Sequence, residues 1–321
     1  MKNLFGRAFL LVIIFSSCAR VLYSSDEGTA TATFLRIEQG ARPVAMGGAF
    51  TGLADTSDGL YYNPAAAAVS ENRELMVSYA PLYQDITNSF VSAVMPLKKN
   101  MGSLGMTLTY VTFGEMEKMD SSGNYLGEME PYNMAVAVYY GKRFGEVYFG
   151  GGIKNIKQDY EAARGSAMAI DAGVLFRSEK DRFSLGGSIL NVGSDAKLGD
   201  AKNKLPTNIR GGASYRLSPT VLVAADLEKP ADAEVKLHFG GEMKVSKMMV
   251  VRAGYHSDSD TGLTVGLGVK SELSSDTVDE FKFSSETSSR QGYKVTMMID
   301  YAYVTSSNFS ATHRISAGLK F

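Results

Sequence analysis

The sequence predicts an all-β fold, a transmembrane β-barrel of about 14 antiparallel strands that follows a short N-terminal plug. Three observations support this prediction: an apolar export signal, period-two alternation over most of the chain, and connections that alternate between short and long. Average composition points elsewhere, because 45% hydrophobic and 21% charged residues are typical of a soluble protein. The 33 Lys and Arg residues nearly balance the 34 Asp and Glu residues, which argues against a nucleic-acid partner.

Residues 1–25 are predicted to be a signal peptide. Lys2 and Arg7 precede an apolar run over residues 8–15, about half the ~20 residues that a spanning helix needs. Two cleavage modes stay open: ordinary signal-peptidase cleavage near residue 25, or lipoprotein processing with Cys18 as the lipidated residue. Cys18 is the single cysteine of the chain, so no intramolecular disulfide forms.

Residues 26–71 lack period two and are rich in glycine and alanine. Pro43 suits the start of a short helix, which Gly47 and Gly48 weaken. Such dense small residues allow close packing in a confined space. We therefore predict that residues 26–71 form a plug, or hatch, folded into the periplasmic mouth of the barrel. A simple periplasmic lead-in is the alternative.

Residues 72–321 are predicted to form the barrel. The alternation is clearest at residues 234–245, where Leu237 and Phe239 lie on one face and His238 and Glu242 on the other. The predicted strands are 73–82, 87–97, 102–113, 131–143, 146–157, 166–177, 182–192, 206–217, 219–228, 234–245, 247–256, 261–270, 291–303 and 311–321. Most have the ~9–11 residues that a tilted strand needs to cross a bilayer, or a few more.

Tight connections alternate with longer ones, such as residues 114–130, as in outer-membrane barrels. The polar segment 271–290 departs from this rule, because it is long and lies on the short-turn side. The chain ends with alternating residues up to Phe321, which resembles the signal read by the barrel-assembly machinery. A soluble β-sandwich or β-solenoid explains the alternation equally well, but not the strand lengths or this ending.

Closure into a barrel pairs every backbone group, which a lipid environment demands. One face then meets outer-membrane lipid and the other lines a lumen wider than side chains alone fill. The candidate lumen-lining residues are Arg177, Arg210, Arg216, Lys236, His238, Glu242, Arg252, Lys294, Asp300 and Arg314.

Two stretches carry a family resemblance. The residues GARPVAMGGAFTGLAD, followed by GLYYNPAAAA, resemble the N-terminal signature of the PorV/PorQ family of outer-membrane proteins, which is similar to the FadL-type long-chain fatty acid transporters. The ending IDYAYV with THRISAGLKF resembles that family's last two strands. The residues that match the plug motif are Gly40, Ala41, Arg42, Gly47, Gly48, Ala49, Asp55, Asn63, Pro64 and Ala65.

The resemblance implies an outer-membrane location and a FadL-like channel for hydrophobic small molecules such as long-chain fatty acids. The long loop at residues 114–130 is a candidate capture site, because methionine side chains adapt to irregular apolar ligands. Its candidate residues are Met116, Met119, Tyr125 and Met129. One alternative is a PorV-like accessory of a type IX secretion system, which holds exported proteins and binds secretion-system partners. Another is a purely structural barrel.

We predict no enzyme, no cofactor and no metal site. The three histidines, His238, His256 and His313, lie on separate predicted strands without ligand spacing. A Ser–His pair brought together from different strands, as in outer-membrane lipases, stays open, but nothing in the sequence selects one.

Overall fold

A ring of antiparallel strands forms the body of the chain in the computed structural model. The structure describes residues 30–98, 101–161, 163–178, 180–198, 201–257, 262–274, 294–306 and 310–321. The signal-peptide prediction, including Cys18, lies outside these residues. The strands are β1 (Glu74–Pro81), β2 (Thr87–Pro96), β3 (Ser103–Thr112), β4 (Met116–Met119), β5 (Tyr125–Met129), β6 (Tyr132–Phe144), β7 (Val147–Asp159), β8 (Arg164–Arg177), β9 (Phe183–Gly193), β10 (Ala196–Leu198), β11 (Ala201–Asn203), β12 (Asn208–Arg216), β13 (Val221–Pro230), β14 (Lys236–Lys244), β15 (Met249–His256), β16 (Leu263–Ser274), β17 (Lys294–Val304) and β18 (Thr312–Lys320).

The main sheet closes on itself. β1 pairs with β18, with Glu74 opposite Lys320, and β8 pairs with β9, with Phe176 opposite Leu185. Within the described residues this sheet has sixteen strands, and two of them, β10 and β11, form a loop hairpin beside β8. The remaining fourteen are the wall, so the predicted closed 14-stranded antiparallel barrel is confirmed. A separate hairpin, β4–β5, lies within the predicted long loop.

The largest error in a predicted strand boundary is at the end of β16. Residues 271–274 were expected in a polar connection, but they continue β16, with Ser271 opposite Met297 and Ser274 opposite Lys294. Backbone pairing continues here although the sequence Ser-Glu-Leu-Ser has lost its apolar alternation, because strand pairing needs only backbone donors and acceptors. The rest of the predicted connection, residues 275–290, lies outside the described residues.

The two faces of the wall differ as the alternation predicts. On β14, Leu237 and Phe239 are 42% and 48% exposed, whereas His238 and Glu242 are 2% and 7% exposed. Large apolar side chains therefore cover the outside, and polar side chains point inward. Within the described residues, no helix combines the length and apolar composition needed to cross a membrane.

The connections define two ends of the barrel. The long-loop end carries the connections that follow β1, β3, β7, β9, β13, β15 and β17, and the short-turn end carries the others and the end of β18. Aromatic residues lie outside near both ends. Tyr110 stacks on Tyr132 toward the long-loop end, with centroids 5.5 Å apart, and Phe144 contacts Phe149 at the short-turn end, at 6.0 Å. Tyr and Phe thus supply the interface aromatics in a chain without Trp.

Candidate functional site

The lumen of the barrel is occupied by residues 30–70, which we call the inner segment. It contains α1 (Ala41–Ala45) and three short 3-10 turns. At the long-loop end, Thr31 N donates to Lys204 O at 3.1 Å. At the short-turn end, Ser57 N donates to the Glu74 carboxylate at 2.9 Å. The segment therefore runs the length of the lumen; the sequence predicted a plug folded into the periplasmic mouth.

Two glycines let the inner segment turn directly against the wall after α1. Gly47 and Gly48 have φ values of +64° and +76°, a conformation that side chains with a Cβ rarely adopt. A Cβ on Gly47 would lie 2.6 Å from Tyr255 N, so backbone packs on backbone at this position. This close approach brings the carbonyls of Gly47 and Gly48 to the charged side chains of the wall.

The first charged cluster joins α1 to β14, β15 and β17. Arg42 donates to Asp55 Oδ1 at 2.7 Å and to Glu242 Oε2 at 2.8 Å. Glu242 also accepts from Arg252 Nε at 2.8 Å, and Arg252 Nη1 donates to Asp300 at 2.6 Å. Two arginines and three carboxylates thus compensate one another away from bulk water, which buried charges require.

Arg42 and Asp55 both belong to the inner segment, and burial disfavours the ionised form of each. Burial lowers the pKa of the Arg42 guanidinium, but Asp55 and Glu242 outweigh it and raise that pKa well above its ordinary value. Burial likewise raises the pKa of Asp55, and Arg42 brings it back below its ordinary value. Both groups are therefore ionised at neutral pH.

The second charged cluster lies on β12, β13 and β14. Arg210 donates to Gly48 O at 2.8 Å, and its Nη1 lies 2.7 Å from Glu228 Oε2. His238 Nδ1 lies 2.7 Å from Gly47 O, and its Nε2 lies 3.0 Å from the same Glu228 oxygen. Wall side chains thus hold the carbonyls that follow α1.

Other wall residues bind the backbone of the inner segment further on. Asp226 Oδ2 accepts from Phe50 N at 2.9 Å and from Thr51 N at 2.7 Å. Arg177 Nη2 donates to Leu53 O at 2.6 Å. These bonds satisfy buried backbone groups that no regular secondary structure pairs.

On the side of the lumen away from the two charged clusters, small residues of the inner segment pack against β6, β7 and β8. Asn63 caps the turn Pro64–Ala68 by accepting from Ala65 N at 3.0 Å, and it donates to Thr51 O at 3.0 Å. Pro64 lies so close to Gly150 of β7 that a Cβ there would overlap the Pro64 backbone. Contact here depends on the absence of side chains rather than on charge.

Asp58 is a buried carboxyl on the turn Ser57–Tyr61 of the inner segment. Thr56 Oγ1 donates to its Oδ1 at 2.5 Å, while its Oδ2 has no hydrogen-bond partner among the described residues. Burial raises the pKa of Asp58 to about 7. The hydrogen bond from Thr56 and the charge of Arg42 lower that pKa, but they do not overcome the burial.

A cavity of about 200 Å³ lies at the long-loop end, between the inner segment and the wall. Its charged lining residues and histidines are Arg36, Glu38, Glu228, Lys236, His238, His256 and Arg314. Its apolar lining includes Ile37, Val44 and Val304. It is thus a mixed site with an apolar part, and not the wholly apolar groove that a hydrocarbon ligand alone would need.

The predicted lumen-lining residues mostly occupy the interior. The side chains that contact the inner segment, one another or the cavity are Arg177, Arg210, Lys236, His238, Glu242, Arg252, Asp300 and Arg314. Arg216 instead lies at the short-turn end, where its Nε donates to Asp181 O at 3.2 Å, because it is the last residue of β12. Lys294 begins β17, and its side chain is outside what the structure describes.

The residues of the plug motif all lie in the inner segment. Those that are fully or almost fully buried include Ala41, Ala49, Asn63 and Ala65, each at 0% exposure. The roles that the geometry shows are backbone approach at Gly47, ion pairing at Arg42 and Asp55, and capping at Asn63. None of the ten lines the cavity at the long-loop end.

The predicted capture residues lie on the β4–β5 hairpin. Met116 pairs with Met129, and Met119 pairs with Tyr125 across a register shift. Met116, Met119 and Tyr125 are exposed, and Met129 is half-buried. The hairpin therefore presents apolar side chains beyond the barrel rim, and none of them lines the cavity.

The sequence analysis missed several interior carboxylates. Asp226 and Glu228 alternate with outward residues of β13 and were available from the period-two pattern. Asp171 of β8 was available in the same way; it lies 2.9 Å from Lys154 Nζ and accepts from Tyr139 at 3.0 Å. Glu38 lies in the aperiodic segment, where no sequence signal marks it as a cavity residue.

Solved structures share this architecture. The chain is similar to the Pseudomonas putida toluene transporter TodX, with a TM-score of 0.51 and 12% identity over 92% of this chain and 98% of that one. A TodX deltaS2S3 mutant, a monoaromatic hydrocarbon channel, gives 0.53 and 12% over 88% and 98%. CymD, also a monoaromatic hydrocarbon channel, gives 0.50 and 11% over 88% and 96%.

The chain shares their fold. At 11–12% identity the likeness extends no further than architecture. No protein-family model and no curated protein matches the chain. The resemblance to the PorV/PorQ family, and the secretion-accessory role that goes with it, stay predictions.

Proposed function

We propose that this chain is an outer-membrane channel for small molecules with a large apolar part, such as long-chain fatty acids, in which the inner segment is the plug. The observation that carries the proposal is a barrel with an apolar outside whose lumen is filled from end to end by one segment. Similarity of fold to hydrocarbon channels supports it.

Passage through such a barrel requires the plug to move. On the charged side, polar contacts such as Arg42 to Glu242 hold the plug, and water can replace the partners of polar groups as they separate. On the other side, the plug packs through Ala66 and Ala67 with Tyr139 in an apolar cluster. We therefore propose that the charged side opens first, because separating apolar groups from each other has no such compensation.

A disulfide between plug and wall tests the proposal. Ser57 Oγ of the plug and Ser92 Oγ of β2 lie 2.9 Å apart and are both buried, so Ser57→Cys with Ser92→Cys places two sulfurs within reach of a bond. We expect uptake of tritiated oleate into proteoliposomes to stop in the oxidised form and to return after reduction. Equal uptake in both forms would contradict a moving plug.

A matched cross-link within the wall is the control. Ser184 Oγ of β9 and Ser214 Oγ of β12 lie 2.7 Å apart, so Ser184→Cys with Ser214→Cys ties two wall strands. Each variant is compared with its own reduced form, which cancels the effect of the substitutions. We expect oxidation of the control pair to leave uptake unchanged.

The β4–β5 hairpin is proposed as the capture site for apolar ligand. It forms a sheet separate from the wall, so replacing residues 116–129 by a short Gly-Ser turn leaves the barrel pairing intact. We expect slower oleate uptake at low ligand concentration and unchanged uptake at saturation. The control keeps the hairpin but substitutes Glu117→Gln, which removes charge and no apolar surface. Unchanged uptake at every concentration would remove the hairpin from the proposal.

A further inference from the structure

Arg314 carries a buried charge that no side chain of the described residues neutralises by an ion pair. It lies on β18 and is 8% exposed. Its Nη1 donates to the backbone carbonyl of Glu38, and its Nε has no hydrogen-bond partner. The carboxylate of Glu38 lies instead near the second charged cluster, 3.6 Å from His238 Nδ1. Among the described residues no carboxylate therefore lies within ion-pair distance of the guanidinium, and the charge of Glu38 acts on it only from further away.

This arrangement differs from the other interior arginines of the charged side. Arg42, Arg210 and Arg252 each lie within 2.8 Å of a carboxylate oxygen. A buried guanidinium without a carboxylate is strongly unfavourable unless another anion accompanies it. Arg314 also lines the cavity at the long-loop end, so there is space beside it for such an anion.

The cavity limits the size and charge of that anion. Its volume of about 200 Å³ is below the ~300–1,000 Å³ of sites for drug-sized ligands. Glu38 and Glu228 also line it, which disfavours a ligand with two or more negative charges. Ile37, Val44 and Leu82 supply the apolar part of the lining.

We propose that this cavity binds a small organic monoanion, a carboxylate on a single ring or a short chain, with the carboxylate paired to Arg314. A planar guanidinium matches a carboxylate in geometry as well as in charge. The apolar part of the ligand then lies against Ile37 and Val44. The inference deepens the proposed function: it rests on a channel that admits molecules with an apolar part, and it adds small monoanions to the classes that the channel binds.

Equilibrium binding tests the site without any transport step. The purified full-length protein in mild detergent is dialysed against radiolabelled benzoate, benzyl alcohol or phthalate, which differ in charge at similar ring size. We expect saturable binding of benzoate, and binding roughly ten- to a hundred-fold weaker for the neutral alcohol. Phthalate, a dianion, is expected to bind more weakly than benzoate.

Arg314→Met removes the charge and keeps the length of the side chain. We expect benzoate binding to weaken roughly ten- to a hundred-fold while benzyl alcohol binding is unchanged. Arg177→Met is the matched control, because Arg177 also donates to a backbone carbonyl of the inner segment, Leu53 O, but does not line the cavity. Retention of the heat-dependent gel shift of a folded barrel checks both variants.

Three results would overturn the site: no saturable benzoate binding to the wild type, equal affinity for benzoate and benzyl alcohol, or equal losses in the two arginine variants. A failure of plug locking to stop oleate uptake would refute the channel proposal and leave these binding results standing. A failure of benzoate binding alone would refute the monoanion site and leave the channel proposal standing.

Discussion

The inner segment meets two kinds of wall within one barrel. Toward β12–β18 charged pairs add to close packing, as in the pairing of Arg42 with Glu242 at 2.8 Å. Toward β6–β9 it is held by shape, with Pro64 against the bare backbone of Gly150. Charged contacts exchange their partners for water at modest net cost, whereas close packing is lost as soon as the surfaces separate. Under the proposed function, the plug separates from the wall on the side toward β12–β18 and keeps its position on the side toward β6–β9.

Breaking the charged side has the largest expected effect. Glu242→Ala leaves Arg42 and Arg252 without their shared carboxylate, so we expect the free energy of unfolding to fall by about 3–5 kcal/mol. Chemical unfolding followed by gel mobility measures it. Lys244→Ala, on the same strand but exposed, is the control and is expected to change stability by less than ~0.5 kcal/mol. Similar losses in both variants would show that the cluster is not held by charge.

The pH dependence of the free energy of unfolding tests the buried charges of the inner segment. Asp58 has its pKa raised by burial to about 7, with Arg42 from the inner segment, Glu74 from β1 and Asp300 from β17 as charged neighbours. Between its ordinary value of 3.8 and about 7, the folded state binds more protons than the unfolded state. The free energy of unfolding therefore falls as pH rises through this window, by at most about 1.4 kcal/mol per pH unit.

Asp58→Asn removes this titration, so the variant is expected to show a flatter dependence of stability from pH 4 to pH 7. Unfolding curves at four pH values measure it. The control is Asp120→Asn in the exposed hairpin, where hydrogen bonds from Asn124 lower the pKa of Asp120 and keep its titration below the window. A slope unchanged by Asp58→Asn would mean that Asp58 is ionised throughout.

A substitution on the small-residue side tests packing by shape. The Cβ of Gly150→Ala would overlap the backbone of Pro64, so we expect the free energy of unfolding to fall by about 1–3 kcal/mol. Gly151→Ala is the matched control on the same strand, because the nearest atom to its Cβ is Asp171 O at an ordinary 3.6 Å. Its expected change is within ~0.5 kcal/mol. Equal losses of stability in the two variants would contradict a close contact between Gly150 and Pro64.

The wall was predictable from the sequence because alternation has one physical cause. Each strand separates lipid from lumen, so the pattern at Leu237, His238 and Phe239 repeats along the whole strand and around the ring. The end of β16 was not predictable from this pattern. There the faces no longer separate two environments, and backbone pairing alone carries the strand to Ser274.

The interior was predictable only in part. Alternation places Arg210 and Glu242 inside, but it says nothing about partners, and Glu242 pairs with Arg42, 200 positions away in the chain. The inner segment has no period, so its path along the whole lumen follows from tertiary contacts alone. Gly150 can be read from the sequence, but the sequence does not distinguish a glycine needed for close backbone approach from one needed for a turn.

The pairing of β1 with β18 links closure of the wall to placement of the inner segment. Ala41 N donates to Ser316 Oγ at 2.8 Å, and Arg314 binds Glu38 O, so the strand that closes the ring also holds the first part of the described chain. Closing the seam and seating the inner segment therefore use the same strand. Truncation before β18 removes the strand that closes the ring and also removes these two contacts with the inner segment. A chain without β18 therefore loses closure of the wall and part of the hold on the inner segment at the same time.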